Sequence, residues 1–259
     1  MIILKHDTPI LTIDDWFKLA APKGKAAQWV DGRSAKECAI AWLATPGAFP
    51  PEIASLFAHA DFDALRLHRI EPEALLSFDR HSGPRNADVA VWAHDDRGPV
   101  AISVEAKADE PFAQPVAEAL SAALEMRIAT PLSGALPRII DLAMSLLWPR
   151  EKGQVVVGEV RYQLLTAVAG TLAMAHAHGA RRAVLVVHEL VSSRTSQAKL
   201  AANAQDLDRF VKRLSRGTVN GVFPGTLYGP FTVPGAPLFA NPAALYVGKA
   251  VRVVSNSVA

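Results

Sequence analysis

Residues 85–112, RNADVAVWAHDDRGPVAISVEAKADEPF, constrain the chain more than any other stretch. Two apolar, β-branched runs, residues 88–93 and 100–107, flank the polar, glycine-containing HDDRG, which is the pattern of a β-hairpin. The turn centres between Asp96 and Arg97, so residues equidistant from that centre oppose each other, and Asp88 falls opposite Glu105. Strand side chains alternate faces. One face of the ribbon then carries Asp88, Ala90, Trp92, Ala101, Ser103, Glu105 and Lys107. The other carries Val89, Val91, Ala93, Val100, Ile102 and Val104 and seeks a core. Like charges directly opposite destabilise a sheet, so the two acids need compensation. A hard divalent cation, which takes one or two carboxylates and keeps waters, is one answer. A salt bridge from Lys107 is the other.

An Asp on one strand followed by Glu-x-Lys on the next, here Asp88 and then Glu105-Ala106-Lys107, resembles the PD-(D/E)XK phosphodiesterase superfamily, the restriction-endonuclease-like nucleases. GRSAKE (32–37), SVEAKADEPF (103–112) and RYQLL (161–165) resemble signatures of a functionally uncharacterised family grouped with them. The resemblance covers roughly residues 29–190. Ala87 stands where the superfamily has a proline before the Asp. The resemblance implies an α/β fold: a restriction-endonuclease-like core running helix, three strands, helix, strand, with a mixed central sheet flanked by helices. It further implies Mg²⁺ or Mn²⁺ on Asp88 and Glu105, Lys107 as a catalytic cation, and Glu37 reaching the site from the first helix. Gln163 and Arg161 would contact a phosphate or the scissile strand, with DNA favoured over RNA as partner. Glu37 has a second reading, because Ser34-x-x-Glu37 is a capping box complete in itself. Arg33 beside it is either a phosphate contact or solvated.

Composition sets the bounds. The chain has 259 residues, half of them hydrophobic and 20% charged, enough for one elaborated domain. A net charge of +2 permits nucleic-acid binding without arguing for it. The single cysteine, Cys38, excludes an intramolecular disulfide and suits a reducing compartment. The N-terminal residues carry acids where a signal peptide would be apolar. The longest apolar runs, residues 139–148 and 164–175, fall short of the roughly 20 a membrane span needs. A cytoplasmic protein with no membrane partner is expected. No Gly-x4-Gly-Lys-Ser/Thr occurs, which disfavours a P-loop hydrolase.

Along the chain, residues 1–28 read as an extension with a short strand at 2–4 and a helix starting at Thr12. A helix begins at Ser34 and stops at Pro46-Gly47. Another is expected over 50–64, and a strand within 65–79, where Arg69 interrupts the alternation. Glu71 and Glu73 flank Pro72; either could approach the site, but they read best as exposed loop acids. Residues 113–150 form a helical insertion, two helices split near 130–137, placed to cover the site or to make a homodimer face. A helix over 159–178 and a buried strand over 181–190 complete the core. The C-terminal extension, 200–259, holds a helix over 203–214 and short strands at 226–231 and 250–254 that add an edge hairpin. Arg209, Lys212, Arg213 and Arg216 make the best basic patch, a solvated face unless it meets a duplex. Glu110 is either a further ligand or a loop anchor; His188 is either an accessory group or structural. Two rival functions remain beside the nuclease: a catalytically inactive binding or assembly domain, and a metal-dependent hydrolase of small phosphates.

Overall fold

The computed structural model describes residues 3–254 apart from Ser82. Eight strands form one mixed sheet in the order β2-β1-β3-β4-β5-β6-β8-β7. They are β1 (Ile3–Lys5), β2 (Thr8–Ile10), β3 (Arg66–Leu76), β4 (Arg85–Asp95), β5 (Gly98–Lys107), β6 (Arg182–Val191), β7 (Thr226–Phe231) and β8 (Ala244–Val253). The helices are α1 (Ile13–Leu19), α2 (Ser34–Leu43), α3 (Pro51–Ala54), α4 (Val116–Ala129), α5 (Ala135–Leu146), α6 (Tyr162–Ala177) and α7 (Gln197–Leu214). Strands β3, β4 and β5 are an antiparallel meander, and β6 joins β5 in parallel. In chain order α2 precedes β3 to β5, and α6 precedes β6, with α3 between α2 and β3 and α4 and α5 between β5 and α6.

The hairpin forms in the expected register, from Val89 against Val104 to Asp95 against Gly98. Its apolar face, Val89, Val91, Val100, Ile102 and Val104, packs in a core with Cys38, Ala39 and Trp42 of α2. Its other face, through Ala90 and Ala101, joins a second core with Leu164, Leu165, Val168 and Leu172 of α6. Helix α6 lies close because position 170 is glycine: a Cβ there would stand 3.2 Å from the Arg85 side chain. Ser103 on β5 meets Thr171 on α6 through a hydrogen bond between their hydroxyls. Nine of the ten β6 residues are buried, as a parallel strand covered on both faces should be.

Several boundaries move, each for a local reason. The interruption at Arg69 is a bulge: the β3–β4 register shifts between Leu67 and Arg69. The helix expected over 50–64 stops after one turn and passes through a 3-10 turn, Ser55–Phe57. Helix α7 begins earlier than expected, at Gln197, where the Ser196 hydroxyl caps it. The last strand also starts earlier, at Ala244, and runs parallel to β6, with β7 antiparallel at the sheet edge. The N-terminal strand is Ile3–Lys5, and Ile2 lies outside the described residues. The capping box at Ser34 does not form. Arg33 is the cap residue, the Ser34 hydroxyl turns to Glu110, and Glu37 accepts from the Gly32 amide at 2.7 Å.

Candidate active site

The site lies where β4 and β5 part. Paired register stops at Val89 and Val104, one residue short of Asp88 and Glu105. Beyond it, the Asp88 carboxylate replaces the missing ladder acceptor: its Oδ2 takes the Ala106 amide at 2.7 Å. Both β3 and β4 exchange faces here. Ile70, Val89 and Val91 belong to the core under α2, whereas Ala74, Leu76 and Ala87 belong to the core under α6. On β3 the exchange occurs at Glu73, whose φ is +49°, a conformation that costs an L-residue energy and concentrates at functional sites. On β4 it falls between Ala87 and Val89, at Asp88. The β3–β4 register, Pro72 against Val89 and Ala74 against Ala87, sets Glu73 beside Asp88. Three acids, Glu73, Asp88 and Glu105, thus occupy one row across three adjacent strands.

Glu105 is 1% exposed and both its oxygens are engaged. Arg85 donates to Oε1, and the Gln163 amide donates to Oε2 at 2.6 Å. The same Gln163 accepts from the Lys107 ammonium at 3.1 Å through its carbonyl oxygen. One residue of the first turn of α6 therefore holds both motif side chains. Lys107 also sits 5.3 Å from the centre of the Phe112 ring, a cation–π contact. The acid beside it in register on β6, Glu189, is taken by Lys249 at 3.1 Å. The salt bridge that would have spent Lys107 is absent among the described residues.

The crowding of charge shows in the titration of the acids. Burial, then the negative charge of Glu105, pushes the Asp88 pKa up to about 7, against the pull of Lys107, the Ala106 amide and Arg85. Burial, then Asp88, pushes Glu73 up to about 8, against a hydrogen bond from Asn86 and the charge of Lys5. Opposed carboxylates raise each other's pKa in this way.

A hard divalent cation suits this donor set. Asp88 and Glu105 supply two carboxylates, the number Mg²⁺ commonly takes while keeping several waters. A cation there would relieve the repulsion that raises the Asp88 pKa. The protein does not offer a closed cage: among the described residues no three His, Cys, Asp or Glu side chains are gathered to hold a metal ion.

Other expected site residues are placed elsewhere. Arg33 pairs with Asp109 at 2.7 Å and with Glu110 at 2.9 Å. Arg161 pairs with Asp206 at 2.7 Å and donates to the Ala113 carbonyl. Glu37 makes no hydrogen bond to Asp88, Glu105 or Lys107 among the described residues; it ties the loop at Gly32. Glu110 is a loop anchor, accepting from the Ala108 amide, Ser34 and Arg33. Asp109 accepts from the Ser196 amide at the start of α7. The ADEPF segment after Lys107 is thus the knot that joins β5, α2 and α7. His188 is fully buried on the other face of the sheet and bonded to Glu52 at 2.8 Å. The basic patch does not form one face: Arg213 is buried, Arg216 pairs with Glu151 and Arg209 lies near Asp206.

Two site residues were not chosen from the sequence. Glu73 read as a loop acid, and its β3 register was hidden by the bulge. Arg85 lay before the run that read as the first strand of the hairpin, which began at residue 88, although it is the first residue of β4.

The site is thus an acid row with a lysine beside it, at a parting of strands in a mixed eight-stranded sheet flanked by helices. The chain belongs to the family described as Domain of unknown function (DUF6946), which matches residues 9–244. No curated protein and no solved structure matches it. No helix among the described residues is long and apolar enough to cross a membrane.

Proposed function

We propose that the protein is a divalent-metal-dependent nuclease with a restriction-endonuclease-like core, hydrolysing phosphodiester bonds of nucleic acid, with DNA favoured. The observation that carries this reading is Lys107. Its ammonium is nearly buried, paired with no acid among the described residues, and fixed by a glutamine that also grips Glu105. Burying an uncompensated ammonium is costly, and a structural lysine would have taken Glu189. A lysine kept free next to carboxylates suits an anion that arrives with the substrate.

Asp88 and Glu105 would hold Mg²⁺ or Mn²⁺, which supplies a polarised phosphate and a bound water of lowered pKa. The protein's own part is positional and electrostatic. Lys107 orients the attacking water and meets the charge that grows on the phosphoryl oxygens. Gln163 fixes Lys107 and Glu105 in one geometry, and the buried sheet behind them keeps the local dielectric low. Arg85 and Glu73 tune the acids from either side.

The test is Mg²⁺- and Mn²⁺-dependent cleavage of plasmid, single-stranded DNA, branched DNA and RNA, with Glu105→Ala and Lys107→Ala alongside. Metal-dependent cutting that falls by about 10²-fold or more in both variants is expected. Cutting that survives Lys107→Ala would sink the mechanism.

One observation favours a second reading, a catalytically idle nuclease-like domain that binds or assembles. Arg85 already places a cation on Glu105, which is how a protein would stabilise a site that had given up its metal. Calorimetric titration with Mn²⁺ separates the two, because an idle site shows no heat that Glu105→Ala removes.

A further inference from the structure

A cleft outside this row of acids shares none of its residues. Its volume is about 430 Å³, within the range of small-molecule sites. It opens between the end of α5, the polypeptide after it and the last turn of α7. Its walls are largely apolar: Met144, Leu147, Trp148 and Pro234 line it. The Trp148 indole nitrogen is spent on the Thr232 carbonyl at 3.0 Å, which leaves the ring as an apolar surface. Two cations also line the cleft, Arg150 and Arg213, and no acid does among the described residues.

Arg213 is the unusual member. It is 4% exposed. One of its terminal nitrogens donates to the Trp148 carbonyl at 2.5 Å. Its Nε and its other terminal nitrogen are buried with no hydrogen-bond partner among the described residues. Buried guanidinium groups are normally paired and fully hydrogen-bonded. Here the neighbouring charge is Arg150, of the same sign; burial first and Arg150 second push the Arg213 pKa down. A pair of like charges beside unsatisfied donors, in an apolar cleft, is an arrangement that lacks its anion. A guanidinium offers a carboxylate two parallel N–H donors. Walls of Met, Leu, Trp and Pro exclude a bare, strongly hydrated phosphate and accept hydrocarbon.

We infer that this cleft binds a small apolar carboxylic acid, its carboxylate on Arg213 and Arg150 and its hydrocarbon body against Met144, Leu147, Trp148 and Pro234. The site is separate from the acid row. None of Glu73, Asp88, Glu105 or Lys107 lines the cleft, and Arg213 stands one residue from the end of α7, seven residues or about 10 Å beyond the Asp206 that pairs with Arg161.

The experiment is calorimetric titration of the full-length protein with octanoate and with 1-naphthoate, against 1-octanol and inorganic phosphate. Saturable one-to-one binding of at least one acid is expected, with 1-octanol about tenfold weaker or worse. Arg213→Met should lose about tenfold in acid affinity while its melting temperature stays near that of the wild type. Should Arg213→Met fail to fold, Met144→Asp serves instead: this side chain is 58% exposed, and the new carboxylate should repel the ligand by a similar factor. Absence of saturable binding for both acids, equal binding of 1-octanol, or displacement of octanoate by equimolar phosphate would each overturn the inference. So would unchanged affinity in the variant that folds.

Discussion

At the scale of single residues, the site is a contest over charge. Burial, then Asp88 and Glu105, pushes the Glu73 carboxyl up to about 8, against the hydrogen bond from Asn86 and the charge of Lys5. An unfolded glutamate titrates near 4.3. Between those values the folded protein holds a proton that the unfolded chain has released, so stability present in acid declines as the pH rises toward 8. Glu73→Gln removes that dependence and keeps the size of the side chain. In EDTA, the variant should melt about 2–4 °C above the wild type at pH 8, and level with it at pH 4 or just above, the effect of roughly 1 kcal/mol on a chain of this length. Scanning calorimetry at the two pH values decides it, and an equal gap at both would mean that the Glu73 carboxyl is not raised.

The elements explain why part of this was legible in the sequence and part was not. The β4–β5 register followed from two β-branched runs around one turn, because a one-residue slip would have turned every valine to the wrong face. The two helices of the insertion, the α6 helix and β7 followed from their breakers and periodicity. The face exchange at Glu73 and Asp88 did not, because alternation assumes an unbroken pleat. Gln163 and Arg161 were expected together, from the resemblance and the first turn of the helix; Gln163 lies on Glu105 and Lys107, whereas Arg161 is claimed by Asp206, and Arg33 by Asp109 and Glu110. The far end of the sheet shows another tie with no periodic signal. Arg182 opens β6 and grips Asp95, the last residue of β4, while also donating to the carbonyls of Asp61 and Gly98. The Arg182 hydrogen bonds hold the Asp95 carboxyl far below the usual range, with help from the Asp63 and Arg97 amides and against burial. That contribution is present above the ordinary carboxylate pKa and is lost as the pH falls below it. Breaking such a buried pair costs about 3–5 kcal/mol. Urea denaturation of Asp95→Asn should show a loss of about 3 kcal/mol at pH 7 that shrinks toward pH 3. A loss below about 1 kcal/mol would make the pair a surface contact in effect.

At the scale of the whole molecule, charge limits how the proposed nuclease can hold its substrate. Net charge is only +2, and many arginines are spent internally: Arg33, Arg69, Arg85, Arg138, Arg161 and Arg182 each face an acid. Duplex affinity that rests on phosphate neutralisation needs free Lys and Arg, and each phosphate neutralised adds about −0.9 to the slope of log K against log salt. A protein with so few free cations near its site should neutralise about two or three phosphates. Fluorescence anisotropy with a 30-base-pair duplex, in Ca²⁺ to hold the acids without turnover, should therefore give a slope no steeper than about −3 between 50 and 200 mM salt. Affinity at the upper end should be weak. A slope near −6 or beyond would show a basic tract outside the acid row and would move the nucleic-acid surface away from Lys107. A shallow slope with measurable binding would place recognition in the shape of the substrate, gripped where β4 and β5 part, rather than in the field of the protein as a whole.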